Sequence, residues 1–307
     1  MVHWKDHGVI LDLGPDIGWA DGRAWAPTMT AKNGKYYFYY SADTNIGVAV
    51  SDQPTGPFKD PLGKPLIPRG ALTGQMIDPA VFTDDDGKSY LYWGNGRAYV
   101  VPLNDDMVTF DASKVTDITP SGYNEGTFVI KRNGTYYLMW SENDTRDENY
   151  RVAYATGSSP TGPWTKRGLI LEKDLSLGIK GPGHHSVVQV PNTDDWYIAY
   201  HRFAIPGGDG THRETTIDRM EFDSGGPDQE GRPHPEQHRP GLRRRHPADE
   251  HHPLAPAGQL PRPLRRRAAG QPRLHRPGGI LQRHSGQAER HLHRRPRTGR
   301  LHLLLVP

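Results

Sequence analysis

The 307-residue chain contains no cysteine, which excludes disulfide bonds and thiolate metal sites. It also lacks any run of 18 apolar residues, and its first thirty residues are polar, so the sequence predicts neither a membrane-spanning helix nor a signal peptide. No segment keeps a helical apolar period over three turns, which predicts little helix. These absences favour an all-β chain and leave its cellular compartment open.

Aromatic residues are missing from the last quarter of the chain, since the 7 Trp, 14 Tyr and 7 Phe all lie at or before Phe222. From Pro227 onward there are 17 arginines, no lysine and 6 acidic residues, a net charge of +11. The first 226 residues are therefore near −8, because the whole chain carries +3. This split predicts a folded domain over residues 1–226 and an Arg/Pro/His-rich tail over residues 227–307.

The tail has three interpretations. The arginine clusters around Arg245 and Arg265 could neutralise nucleic-acid phosphates, or the whole segment could be disordered because it is poor in apolar residues. A shifted reading frame explains the abrupt change better. Back-translation from Pro227 with one base dropped gives Leu-Ile-Lys-Lys-Val-Val-Pro, an amphipathic strand. We therefore predict a non-native, disordered tail and no nucleic-acid partner.

Four stretches of the first 226 residues repeat one pattern, a tight turn that leads into an aromatic-rich run. Three turns are Asn33-Gly34, Asp86-Gly87 and Asn133-Gly134, and the fourth stretch begins at Asp195. Such turns before apolar runs are hairpin signals. A repeat of roughly fifty residues that holds several short strands is typical of a β-propeller, with one repeat per blade. A propeller brings one loop from each blade to a central mouth.

Two carboxylates stand directly before apolar strands, at corresponding places in consecutive repeats. They are Asp78, which precedes Pro79, and Glu125, which precedes Gly126. In radial blades both would point into the mouth, and two facing carboxyl groups are what glycosidic bond cleavage needs, one of them protonated. The alternatives are an Asx-type turn at Asp78 and a solvated loop carboxylate at Glu125.

Other candidate residues lie at strand ends. His184 and His185 are adjacent, so only one can face the axis, and His184 could bind an ion through water or orient an acid. Arg202 could hold a sugar hydroxyl or form a surface ion pair. Trp25 and Trp140 could stack on sugar rings or pack in the core.

The acidic run at residues 84–86 is interpreted as a solvated turn. It lacks the spaced ligands and the distal glutamate of an EF-hand calcium loop.

Together these motifs resemble glycoside hydrolase family 43, the five-bladed propeller enzymes that act on arabinose- and xylose-containing polymers. The resemblance implies an all-β, five-bladed β-propeller, with the four repeats as blades two to five and a first blade that is incomplete in this chain. The matching motifs are Trp25-Ala26-Pro27, Ile77-Asp78-Pro79, Tyr123-Asn124-Glu125-Gly126, Gly181-Pro182-Gly183-His184 and Tyr200-His201-Arg202.

The resemblance also implies roles. The family uses an inverting mechanism, in which Asp78 would tune and orient the acid and Glu125 would be the general acid. His184 falls where the family places a histidine near a central ion, often calcium, and Arg202 matches an arginine near the sugar subsite. The expected activity is that of an α-L-arabinofuranosidase or β-xylosidase acting on hemicellulose. It needs no cofactor for the chemistry, and its partner is a pentose-containing saccharide rather than a membrane.

The family's general base is an aspartate of the first blade, in an Ala-Asp-Pro-like motif that has no counterpart in this sequence. Asp12, Asp16 and Asp21 are the nearest acids, but they fall in the link between the first two blades and are not assigned the role. Loss of the base is expected to lower the rate by about 10²–10⁴-fold. The alternative is a non-catalytic carbohydrate-binding propeller. In either case an incomplete ring is expected to expose strand edges that can pair between copies.

Overall fold

Five antiparallel β-sheets form the described part of the chain, which in this computed structural model comprises residues 5–222 and the backbone of residues 300–305. The first sheet pairs β1 (Lys5–Asp12) with β16 (Arg300–Leu305). The second contains β2 (Trp25–Lys32), β3 (Lys35–Ala42) and β4 (Asn45–Ser51). The third contains β5 (Ala80–Thr83), β6 (Ser89–Trp93), β7 (Tyr99–Pro102) and β8 (Thr116–Asp117). The fourth contains β9 (Glu125–Arg132), β10 (Thr135–Glu142), β11 (Arg151–Gly157) and β12 (Trp164–Leu171). The fifth contains β13 (Gly183–Gln189), β14 (Trp196–Phe203) and β15 (Arg213–Met220).

These sheets are the blades of a five-bladed β-propeller, which confirms the propeller predicted from the repeats and the five blades implied by the family resemblance. The aromatic-rich runs are β3, β6, β10 and β14, the second strands of blades two to five. Helix is as scarce as predicted: the described residues contain one 3₁₀ turn at Ala112–Lys114. No helix in this part of the chain is long and apolar enough to cross a bilayer.

Aromatic side chains of the repeats fill the spaces between blades. Tyr39 and Trp93 pack between blades two and three, and Tyr92 and Trp140 pack between blades three and four. All four are fully buried. Burying one such ring contributes roughly 2–3 kcal/mol, so the repeated aromatic side chains stabilise the contacts between neighbouring blades.

Two of the hairpin turns have the geometry that their sequence predicts. Asn33 and Gly34 have φ values of 53° and 73°, and Asn133 and Gly134 have values of 50° and 78°. Positive φ at both central residues defines the type I′ turn, whose twist matches that of the flanking strands. The Asp86-Gly87 hairpin is wider, because the Asp84 N–H donates to the Lys88 carbonyl at 2.8 Å.

The first blade has two strands in the described residues, whereas the other blades have three or four. Its second strand, β16, was not predicted, because the tail was expected to be disordered; the rest of residues 227–307 lies almost wholly outside the described residues. The reading-frame hypothesis therefore stays a prediction. Val188 of β13 is 55% exposed, and Val190 just after the strand is 37% exposed. Pairing between copies through exposed edges also stays a prediction.

The acidic turn at residues 84–86 ties two blades together. Asp84 in the β5–β6 hairpin accepts hydrogen bonds from Lys131 Nζ at 2.7 Å and from the Tyr136 hydroxyl at 2.5 Å, and both donors belong to the fourth blade. The Asp84 side chain is only 10% exposed, whereas the Asp85 side chain beside it is 85% exposed. A carboxylate already held by a lysine and a tyrosine serves the fold rather than a calcium ion.

We predict that Asp84→Ala lowers the free energy of unfolding by about 1–3 kcal/mol, because it leaves a buried tyrosine hydroxyl and a lysine without their acceptor. Asp85→Ala is the matched control and should change it by less than about 0.5 kcal/mol, because exposed ion pairs contribute little. Urea denaturation measures both. Equal effects of the two substitutions would contradict the inter-blade role of Asp84.

Candidate active site

A residue in the left-handed backbone conformation lies within two residues of the start of the innermost strand in each of blades two to five. These residues are Ala26, Asp78, Gly126 and His184, with φ values of 25°, 58°, 67° and 47°. Three of the four are not glycine, and such a backbone costs a non-glycine residue about 1–3 kcal/mol. The position is therefore equivalent in the four blades, and it turns the chain at the mouth of the propeller.

This equivalence corrects one sequence inference. Asp78 occupies the left-handed position, but Glu125 stands one residue before it, where blade two has Trp25 and blade five has Gly183. The pairing supports this alignment: Trp25 lies opposite Ser41 and Glu125 lies opposite Ser141, each just before a register shift. The two carboxylates therefore approach the mouth from different positions of the repeat. They meet because the strand turns between those positions.

Serine side chains fix two of the left-handed residues. The Asp78 N–H donates to Ser41 Oγ at 2.9 Å, and the His184 N–H donates to Ser141 Oγ at 2.9 Å. Each serine ends the aromatic run of the preceding blade. A bond between blades thus holds the strained turn.

Asp78 is the buried carboxylate of the mouth, with 5% of its surface exposed. Burial raises its pKa to about 7, His184 opposes that rise, the charge of Glu125 adds to it, and the Gly126 N–H hydrogen bond lowers it. Asp78 Oδ2 lies 4.0 Å from His184 Nδ1 and has no hydrogen-bond partner among the described residues. At neutral pH the Asp78 carboxyl group therefore either carries a proton itself or has a positive charge beside it.

Glu125 is held by two side-chain donors. The Tyr150 hydroxyl donates to Oε1 at 2.7 Å, and Asn95 Nδ2 donates to Oε2 at 2.8 Å. One oxygen or nitrogen atom from each of Asp78, Glu125 and His184 lies within 4.8 Å of the others. The structure thus brings together the three residues that the sequence placed at the mouth.

A cavity of about 960 Å³ opens above this triad, within the range of pockets that enclose small ligands. Trp25 lines it with 42% of its surface exposed, and the Arg23 guanidinium carbon lies 5.8 Å from the centre of the Trp25 ring. Trp25 thus offers an exposed aromatic side chain at the cavity, and stacking of a sugar on it stays a prediction.

Two residues predicted to bind substrate lie elsewhere. Trp140 is fully buried in the cluster between blades three and four, so its ring has no face for a sugar and the prediction is wrong in placement. Arg202 is not in the cavity lining; its Nε donates to Glu214 Oε1 at 2.9 Å, which is the ion-pair alternative. Successive strand residues face opposite sides, and His201 takes the side that faces the cavity.

Sequence reasoning missed several residues of the site because they lie outside the repeat motifs: Asn95, Asp144, Thr145, Arg146 and Arg213 line the cavity, and Tyr150 contacts Glu125. Asn95 follows the second strand of blade three, and Arg213 NH1 donates to Thr145 Oγ1 at 2.9 Å. The signal that could have found Asn95 is its Gly94-Asn95-Gly96 turn, which ends an aromatic run exactly where Ser41 and Ser141 end theirs.

Besides the central pair, two carboxylates line the cavity in the described residues, and both are engaged by arginine. Asp144 accepts hydrogen bonds from Arg146 at 2.8 and 2.6 Å, which lower the Asp144 pKa to about 2, and Glu214 is paired with Arg202. Asp12, Asp16 and Asp21 do not line this cavity.

The comparisons with known proteins fit this geometry. The model of glycosyl hydrolases family 43 matches residues 1–227, and the chain belongs to that family. It is 38% identical to a beta-D-galactofuranosidase of Aspergillus niger over 74% of this chain and 70% of that protein. It is 34% identical to an arabinoxylan arabinofuranohydrolase of Bacillus subtilis over 75% of this chain but only 52% of that protein.

Solved structures give the same result. An alpha-L-arabinofuranosidase of Clostridium thermocellum superposes with a TM-score of 0.63 and 32% identity, over 76% of this chain and 80% of that chain. A family-43 beta-xylosidase/alpha-arabinofuranosidase from a compost metagenome, in complex with xylotriose and in a calcium-free form, gives a TM-score of 0.59 and 33% identity, over 72% of this chain and 76% of that chain. The described fold is thus that of a glycoside hydrolase.

Asp78→Asn should flatten the dependence of stability on pH. Between its ordinary pKa of 3.8 and the raised value of about 7, the folded chain binds more protons than the unfolded chain, so the free energy of unfolding falls as pH rises through this window. Asparagine cannot ionise and removes that loss, which is at most on the order of 4 kcal/mol. Urea denaturation at pH 5 and pH 8, with a chelator present, measures the difference.

The control for this experiment is Asp105→Asn, because the Asp105 side chain is fully exposed and should leave the pH dependence unchanged. A wild-type chain and an Asp78→Asn variant that lose equal stability between the two pH values would contradict the assignment.

Proposed function

We propose that the chain hydrolyses terminal α-L-arabinofuranosyl or β-xylosyl residues of arabinoxylan-type polysaccharides with inversion of configuration. One observation carries the proposal: a buried Asp78 lies beside a doubly hydrogen-bonded Glu125 at the floor of an open cavity. The activities of the family relatives support the pentose substrates, and the xylotriose complex of one of them supports an oligosaccharide partner. A purely carbohydrate-binding propeller would have no need for this carboxyl pair.

In this mechanism Glu125 protonates the leaving oxygen of the glycosidic bond. Glu125 lines the open cavity, and its carboxyl group lies within 4.8 Å of the Asp78 carboxyl group. Burial raises the pKa of Asp78 to about 7, and His184 and the Gly126 N–H partly oppose that rise. Asp78 is too enclosed to reach a substrate oxygen itself.

Inversion also requires a carboxylate that activates water from the opposite face of the sugar. Asp144 and Glu214, the other carboxylates of the cavity in the described residues, are already engaged by arginines. We therefore expect slow turnover, about 10²–10⁴-fold below that of an enzyme with a free base.

Glu125→Gln should abolish sugar release from methyl α-L-arabinofuranoside and methyl β-xyloside, whose strongly basic leaving oxygen must be protonated, because glutamine has no transferable proton; release from the 4-nitrophenyl glycosides should fall much less. Glu172→Gln, at an exposed loop position outside the cavity, is the control and should retain full activity. A 4-nitrophenyl β-galactofuranoside completes the panel because of the galactofuranosidase relative. Full release from the methyl glycosides in Glu125→Gln would refute the acid role.

Sodium azide or formate added to the same assay tests for the base. A small anion that enters the cavity can replace an absent carboxylate, so the rate should rise with its concentration. No acceleration would mean that a residue of the chain already activates water.

We further propose that His184 helps to hold a hydrated calcium ion. A second cavity of about 160 Å³ lies between the inner strands, lined by Asp78, Thr28 and His184, with room for several waters. Calcium takes 6–8 oxygen ligands, more than the nearby carboxylates offer, so water must supply most of them. The unpartnered Asp78 Oδ2 fits such an ion. When bound, the ion would add positive charge that favours the ionised form of Asp78.

Calcium should raise the melting temperature of the wild-type chain by about 5–10 °C at saturation relative to EDTA, following the linkage of binding to stability. His184→Ala should remove most of this shift, whereas His212→Ala, whose side chain is 77% exposed, should not. Differential scanning calorimetry reports the shift without any need for activity. An unchanged melting temperature in calcium would overturn this proposal.

A further inference from the structure

Both carboxyl oxygens of Glu125 accept hydrogen bonds from residues that lie outside the family's matching motifs. Tyr150 comes from the start of β11, and Asn95 comes from the turn after β6 in the neighbouring blade. Their donor atoms lie 2.7 and 2.8 Å from Oε1 and Oε2. A glutamate side chain has three rotatable bonds, so two fixed donors restrict it to one orientation.

Tyr150 is itself immobile. It is fully buried, and its ring stacks on His201 with 5.4 Å between centroids and 8° between planes. A Cβ atom at Gly183 would lie 2.2 Å from Tyr150 Cε1, so only glycine leaves room for the ring. Burial holds the pKa of Tyr150 well above its usual value, and the hydroxyl therefore keeps its proton.

Asn95 is fixed by Gln75. The two backbones exchange hydrogen bonds of 3.0 and 3.1 Å, and Gln75 Nε2 donates to Asn95 Oδ1 at 3.1 Å. Because Oδ1 is occupied, the amide NH₂ is directed at Glu125. The Gly96 N–H donates to the Asn124 carbonyl at 2.8 Å. This hydrogen bond joins the turn that carries Asn95 to the residue before Glu125.

We propose that Tyr150 and Asn95 are positioning residues that hold the Glu125 carboxyl group in the orientation in which it protonates the leaving oxygen. Each carboxyl oxygen has two lone pairs, so one remains on each for the transferable proton after both donors are bound. The Tyr150 hydroxyl can also accept a hydrogen bond once Glu125 is protonated. This inference rests on the proposed function, because orientation matters only if Glu125 acts as an acid.

The test compares two leaving groups. A methyl glycoside expels a strongly basic oxygen that must be protonated, whereas a 4-nitrophenyl glycoside expels a weakly basic one. Tyr150→Phe should lower kcat on methyl α-L-arabinofuranoside or methyl β-xyloside about 10-fold, the usual loss for one hydrogen bond to a charged group, with KM unchanged. On the 4-nitrophenyl glycoside the loss should be about 2-fold or less. Asn95→Ala should behave in the same way.

Matched controls separate positioning from packing. Tyr92→Phe removes the hydroxyl of another fully buried tyrosine, which donates to the Pro160 carbonyl at 2.6 Å, and Asn104→Ala removes an amide bound to Thr109. Neither control should change the ratio of the two rates. Equal losses on both substrates for Tyr150→Phe, or the same ratio in the controls, would overturn the proposal.

A second measurement is independent of turnover. A tyrosine hydroxyl proton bound to a buried carboxylate should give a slowly exchanging downfield proton NMR signal that vanishes in Tyr150→Phe and shifts upfield in Glu125→Gln. Absence of that signal, or its persistence unchanged in Glu125→Gln, would overturn the proposed hydrogen bond between Tyr150 and Glu125. If the wild-type chain releases no sugar, the proposed function fails on its own, and the NMR result alone supports or overturns the contact.

Discussion

The left-handed residue at the head of each inner strand is the constraint on which the site depends. It turns the chain at the mouth, so that side chains before and after it can face the same cavity. For Asp78 and His184 this conformation is unfavourable, and it persists because each residue's N–H is bound by a serine of the preceding blade. The site is therefore a product of contacts between blades and cannot form in one blade alone.

The second determinant is the burial of charge. Asp78 has little water around it and has both a carboxylate and an imidazole as neighbours, so its ionisation depends on what lies next to it. Burial raises the pKa of Asp78 to about 7, so the charge of this carboxyl group is sensitive to its neighbours near neutral pH. An exposed pair of carboxylates would simply both ionise.

The cavity wall is polar and internally paired. Asp144 with Arg146, Glu214 with Arg202, and Thr145 with Arg213 use up much of the hydrogen-bonding capacity of the loops. The loop acids that could serve as a base are thus engaged by arginines. Trp25 is the exposed aromatic side chain of this wall.

The sequence by itself determined the blades. Turn residues and aromatic runs carry local information, since Asn-Gly selects a type I′ turn and alternating aromatics fit the buried faces of a sheet. They were enough to predict the four complete repeats, the general position of Asp78 and Glu125, and the resemblance to the family. They could not predict β16, because the tail has no such pattern.

Only the tertiary structure decided which side chains share the mouth. Alternation in β14 places His201 rather than Arg202 at the cavity, and packing between blades buries Trp140. Neither outcome could be predicted, because a strand's local pattern does not say which face meets a neighbouring blade and which meets solvent. Asn95 and Tyr150 lie 30 and 25 residues from Glu125 in sequence; Asn95 reaches it from the neighbouring blade, and Tyr150 reaches it across blade four. The sequence specified the parts of the site, and the packing of the blades specified their orientation.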